Sequence, residues 1–267
     1  MTYTDHRAQV VYLSHGGGPL PILGDPGHAA MVAFMQKLPK RLRKPEAVLV
    51  ISAHWEEQAA TLLSAPNPPL LYDYYGFPAE AYDLTYPAPG NPALAKRIAS
   101  LLEQASIPTH LDDQRGFDHG VFIPLKLMYP AADIPCLQLS LLRGLDPAAH
   151  LALGKALRPL LEENLLVIGS GFSFHNMGAF QWGGPARPDP GNDAFQDWLI
   201  ETCTISSSED ERELRLLEWD KAPAARYCHP REEHLLPLHV CQGMAGKSGE
   251  VIFDDAILGK RGVAFLW

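Results

Sequence analysis

The run Ala47-Val-Leu-Val-Ile-Ser52 has no polar face. Successive residues of a strand point to opposite sides, so a strand with one wet face alternates apolar and polar residues. A strand apolar on both sides needs cover on both sides, as in the parallel sheets of α/β proteins. Shorter apolar runs recur at Val10–Leu13, Thr61–Ser64, Pro108–Leu111, Pro135–Leu139, Leu165–Ser170, Val251–Phe253 and Val263–Leu266. Thr61–Ser64 is expected to pair beside the central strand. Between these runs lie helical signals. Asp25-Pro26 opens a helix reaching about Leu42, and Asn91-Pro92 caps one over Pro92–Gln104 with Leu94, Ile98, Leu101 and Leu102 on one face. Further helices are expected over Pro147–Glu163, Asp193–Thr204, Glu209–Trp219 and Glu232–Met244. The alternation predicts a single α/β domain over residues 1–267, with a central mostly parallel or mixed sheet covered by helices on both faces.

Charge and cysteine usage exclude several classes. The net charge is −9, and the longest basic run is Pro39-Lys-Arg-Leu-Arg-Lys44, which argues against a nucleic-acid partner. The four cysteines have no metal-ribbon spacing and read as buried thiols in a reducing compartment. The first residues include Asp5, His6 and Arg7 and lack the apolar core of a signal peptide. No apolar stretch approaches the roughly 20 residues that span a bilayer. A cytoplasmic protein without membrane contact is expected.

Several familiar motifs fail at a residue their chemistry requires. Gly16-Gly17-Gly18 follows a strand, but the dinucleotide fingerprint needs glycine where Pro21 stands. Gly171-Phe-Ser173-Phe-His175 resembles a nucleophile elbow, yet its fifth position is histidine and not glycine.

Five histidines remain: His15, His54, His119, His175 and His234. Ligands of open α/β sheets collect at the carboxyl ends of strands. His15 and His54 leave apolar strands directly, and His175 lies in the Gly171–Gly184 loop after another. His119 sits in a loop, and His234 falls in the first turn of a helix. His15, His54 and His234 could therefore converge on one divalent metal, the open alternative being buried histidines bonded to backbone carbonyls. Three neutral imidazoles leave the ion its full charge and open positions, which suits a bidentate oxygen ligand. His6, His28, His110 and His150 read as structural or surface residues. His229 shapes the loop before Pro230, and His239 points to a different helical side from His234. The Tyr- and Pro-rich segment Ala65–Pro92 either lines a pocket for a planar ligand or staples itself to the body.

The segments His15-Gly-Gly, Ser52-Ala-His54-Trp55, Tyr86-Pro-Ala-Pro-Gly90, Gly116-Phe-Asp-His119-Gly120, His175-Asn176 and Glu233-His234-Leu-Leu-Pro237 run in order along nearly the whole chain. Together they resemble the LigB-class extradiol ring-cleavage dioxygenases, in their single-chain DOPA 4,5-dioxygenase-like branch. The resemblance implies metal binding by His15, His54 and His234, with His175 as base or further ligand and His119 lining the pocket to handle a proton. It implies Fe(II) for turnover, with Zn(II) able to occupy the same donors, and a small aromatic diol and O2 as reactants. Multi-subunit relatives use two histidines and a glutamate, which leaves Glu233 as the alternative third ligand. A zinc hydrolase using His175 or Glu233 as base, and a metal-free binding module of the same fold, stay open beside the oxygenase. Ring substituents fall to the aromatic loop and to Phe180–Asp193, where Arg187 either meets a substrate carboxylate or is solvated.

Overall fold

The computed structural model describes residues 7–182, 187–204 and 208–267. His6 and the end of the Gly171–Gly184 loop lie outside them. Among the described residues one mixed sheet holds eight strands: β1 (Gln9–Ser14), β2 (Ala47–Glu57), β3 (Ala60–Leu63), β4 (Thr109–Asp112), β5 (Cys136–Leu142), β6 (Leu165–Gly171), β7 (Glu250–Ile257) and β8 (Lys260–Leu266). Their order is β4-β3-β5-β2-β6-β1-β8-β7. β2 is central, between parallel β5 and β6, and β1 runs parallel to β6. The carboxyl ends of β1, β2 and β6 therefore share one edge of the sheet.

The helices are α1 (Ala29–Lys37), α2 (Pro92–Gln104), α3 (His119–Met128), α4 (Pro147–Ala156), α5 (Pro190–Thr204), α6 (Glu209–Leu217), α7 (Ala225–Cys228) and α8 (Leu236–Ala245). They cover both faces, and β6 shows how. A Cβ on Gly169 would lie 2.7 Å from the Pro237 carbonyl oxygen of α8, and one on Gly171 only 2.1 Å from that of His234. The Ser170 hydroxyl, between them, donates 2.5 Å to the Gly120 carbonyl of α3. Alternate residues face opposite sides, so α8 and α3 sandwich the strand. The glycines let α8 approach closely, and residues 47–53 of β2 are buried on both sides as their composition requires.

Several expected boundaries shift. β3 pairs with β4 and β5 and not with β2, because β5 inserts between them. The helix expected from Asp25 to Leu42 is α1 between two 3-10 turns, the second carrying Pro39. α4 likewise stops at Ala156 before a 3-10 turn that contains Pro159. Proline lacks the N–H that would continue an α-helix. α3 was legible only as loop: nearly all its residues are buried and Pro124 lies inside it, so no amphipathic period marks it. Among the described residues, no helix is long and apolar enough to cross a membrane.

Candidate active site

His15 follows the last residue of β1, but His54 and His234 are not where the spacing put them. β2 continues past Ser52 to Glu57, and its register against β5 shifts between Ile51 and Glu56. His54 lies within that irregular stretch, where a bulge re-aims side chains. His234 occupies a turn two residues before α8 and not the first turn of the helix. His119 is the first residue of α3 and not part of a loop. His175 lies beyond β6, its N–H donating 2.8 Å to the Cys228 carbonyl of α7.

The sheet edge nevertheless brings all five together. His54 Nε2 lies 2.9 Å from His15 Nε2 and 3.3 Å from His234 Nε2. His119 stands beside His54, ring centroids 3.9 Å apart, and His175 stacks on His234 at 3.4 Å. Ligand atoms of His15, His54 and His119 lie within 4.8 Å of one another, as do those of His175, Glu233 and His234. His54 joins the two groups.

The other ring nitrogens decide what the Nε2 atoms can do. The Ser170 hydroxyl spends its proton on Gly120, so it accepts from His15 Nδ1 at 3.0 Å. His234 Nδ1 donates to Glu233 Oε1 at 2.9 Å. A neutral imidazole carries one proton, so Nε2 of His15 and of His234 each keeps a lone pair. Burial pushes His15, His54 and His234 well below the ordinary imidazole range, and neighbouring histidines push His15 and His234 the same way. His54 Nε2 stands within 3.3 Å of the Nε2 atoms of His15 and His234, so either a proton on His54 or a cation among the three would be attracted to these lone pairs. Two ligands each 2.0–2.2 Å from one ion, at ordinary coordination angles, stand about 3–3.5 Å apart. The donor set and its spacings fit a divalent metal.

Residues that spacing did not reveal hold this cluster. Asp73 Oδ1 accepts from His119 Nδ1 at 2.8 Å and from its backbone N–H at 3.0 Å, while Oδ2 faces His54 Nδ1 at 3.7 Å. Burial raises the Asp73 carboxyl, but its bonds to His119 hold it below the usual aspartate range. Glu233 Oε1 accepts from both His234 and His175, the latter at 3.1 Å. Burial again opposes ionisation, and the His175 bond keeps Glu233 low. Glu233 thus meets the Nδ1 sides of both rings through Oε1, and it also belongs to a group with His175 and His234 that could hold an ion. Asp118 is fully buried and accepts from Ser52, Gln138 and Arg115, tying β2 to the start of α3.

Pro124 contributes through what it lacks. Its missing N–H would have bonded the Gly120 carbonyl one turn back in α3. That carbonyl is free to take the Ser170 hydroxyl, and so to set the His15 tautomer. His234 is pinned from the other side, its carbonyl accepting from Tyr12 Oη and the Phe172 N–H, each at 3.0 Å.

The other histidines behave as structural groups. His28 links Asp25 to the Gly17 N–H, and His150 bonds the Leu142 N–H. His229 and His239 are buried against the carbonyls of Ser173 and Leu216, and His110 is exposed. All four cysteines are free and buried. The aromatic loop staples itself, and one of its rings reaches the histidine cluster. The Tyr72 and Tyr74 hydroxyls bond the Leu84 and Ala81 carbonyls within it, and the Tyr74 ring meets His119 edge-on at 5.9 Å. Arg187 lines a cavity with Asp189, Asp254 and Arg261, none of which belongs to the histidine cluster.

Over residues 10–265 the chain matches the profile of the catalytic LigB subunit of aromatic ring-opening dioxygenase. The chain belongs to the LigB family. A dioxygenase named tasH from Hapsidospora irregularis is 40% identical over 97% of this chain and 85% of its own length. Proteins named 4,5-DOPA dioxygenase extradiol are similar too. The one from Beta vulgaris is 38% identical over 92% of this chain and 90% of its own. That from Escherichia coli K12 is 35% identical over 87% and 83%. The crystal structure of an uncharacterized protein from Escherichia coli K12 superposes with a TM-score of 0.79 at 30% identity, covering 97% of this chain and 99% of that one. The chain thus spans most of the length of these relatives and shares the fold of that crystal structure.

Proposed function

We propose that this chain is an extradiol dioxygenase that opens a catechol-type ring beside its two hydroxyls, with one divalent metal held by His15, His54 and His234. The observation that carries the reading is the convergence of three Nε2 atoms, two of them with Nδ1 committed to Ser170 and Glu233. Second partners of this kind fix the tautomer a metal needs. Iron(II) is the ion expected for turnover, and three imidazoles would also accept zinc. Bound there, the ion would supply Lewis acidity that favours the catecholate and a path for electrons from the diol to dioxygen.

The chain supplies the proton handling. His175 has its Nδ1 on Glu233, which leaves Nε2 to take a hydroxyl proton from the substrate. Glu233, ionised across neutral pH, stabilises the imidazolium that results. His119 is oriented by Asp73 on the opposite side of the cluster, placed to hold or return a proton as the ring opens. The Tyr74 ring stands edge-on to His119 at 5.9 Å. Names of the relatives support a substrate related to DOPA.

Oxygen uptake over a catechol panel, using protein reconstituted anaerobically with Fe(II), tests the proposal. Uptake stoichiometric with a ring-opened semialdehyde is expected. Fully loaded, folded protein that consumes no oxygen with any catechol would overturn it.

A further inference from the structure

A cavity of about 340 Å³ opens onto the histidine cluster and is lined by Ala53, His54, Glu56, Arg231, Glu233 and His234. Arg231 is the cation among these residues. Its Nη1 and Nη2 each meet a Glu56 carboxylate oxygen at 2.7 Å, and Nη1 lies 3.5 Å from Glu233 Oε2. The guanidinium carries five N–H donors, so a pair to Glu56 leaves others unspent. Its side chain is 55% exposed, against 22% for Glu56. The pair is bidentate, the geometry in which an exposed ion pair holds best, and it lies open to water, where a second carboxylate can compete for the same fork. Glu233 is the one lining carboxylate committed elsewhere, to His175 and His234.

We infer that Arg231 is the specificity residue of this site and receives a carboxylate on the ring substituent of the substrate, with Glu56 as the competitor it leaves. The inference rests on the catechol reading of the histidine site. A planar guanidinium pairs with a carboxylate in two parallel hydrogen bonds, which gives direction as well as attraction. Arg187, the arginine that the sequence offers for this task, lines a cavity that shares no residue with this one.

Opposite effects of two substitutions separate this role from a structural staple. Arg231→Met removes the receptor, and Glu56→Gln removes its competitor while keeping the side-chain shape. The measured quantity is the ratio of kcat/KM for a carboxylate-bearing catechol, 3,4-dihydroxyphenylpropionate, to that for 4-methylcatechol. A ratio cancels any damage common to both substrates. It is expected to fall about tenfold or more in Arg231→Met, as for loss of a charge-assisted pair, and to rise in Glu56→Gln. Calorimetric binding of two unreactive analogues, 4-methoxyphenylpropionate and 4-methylanisole, should move the same way. A ratio that falls in both variants marks a staple and overturns the inference. So does a ratio unmoved in both, or a zwitterionic catechol amino acid that alone loses on Glu56→Gln. If the wild type turns over no catechol the ring-opening proposal fails, and the calorimetric pair still decides the role of Arg231.

Discussion

Ser170 is a residue whose identity is explained by one proton. Its hydroxyl donates to Gly120 and accepts from His15 Nδ1, so it selects the tautomer that leaves Nε2 free. Ser170→Ala removes the acceptor and fits the same space. Metal affinity is expected to fall about 10–100-fold, the usual cost of losing such a partner, in competition with a chromophoric chelator. Unchanged affinity would show that the tautomer is set elsewhere. Asp73→Asn makes a different prediction. The amide can no longer balance charge on His119, so turnover should drop at least about tenfold while metal content holds. Equal loss of metal and turnover would make Asp73 a holder of His54 instead. These two residues also mark the limit of the sequence. His15 and His54 were legible because apolar strands run straight into them. Asp73 lies in an aperiodic loop and meets His119 across 46 residues, a pairing that only the folded chain creates. Ser170 ends an apolar run and looks like the close of a strand, which it also is.

At the level of elements, α3 and β6 form one device. Pro124 leaves the Gly120 carbonyl unbonded, and β6 supplies the hydroxyl that takes it. Pro124→Ala restores the helical donor and removes a residue that disfavours helix interiors. Its melting temperature should hold or rise while metal affinity falls, an uncommon pairing of signs. A parallel drop in both would mean that the proline simply fills the core. Gly171 works by absence too: a Cβ there would lie 2.1 Å from the His234 carbonyl oxygen. Gly171→Ala should displace that turn, lowering both thermal stability and metal content. The strands were legible from their apolar runs. α3 was hidden by its burial, and the extension of β2 past Ser52 by the polar residues His54, Glu56 and Glu57 beyond its apolar run, the first two of which line the site cavity.

Across the whole molecule, buried neutral histidines leave a signature in stability. Burial pushes His229 to about 3 and His239 to about 4, against an ordinary value of 6.5. The unfolded chain binds protons at these positions as pH falls through about 6.5, and the folded chain does not. Their contribution is therefore complete above that pH and is lost progressively toward pH 4. Asp73 and Glu233, held low, weaken the fold only below the ordinary carboxylate range. The urea midpoint of metal-free protein should thus decline already between about pH 6.5 and 5. A flat profile in that window would contradict neutral burial. The central claim, that His15, His54 and His234 hold one ion while His175 and His119 serve the reaction, is tested most directly by metal content per chain. Wild type, His119→Ala and His175→Ala are expected to retain about one ion per chain, and alanine at His15, His54 or His234 to lose it. Retention in His234→Ala with loss in His175→Ala would contradict the assignment.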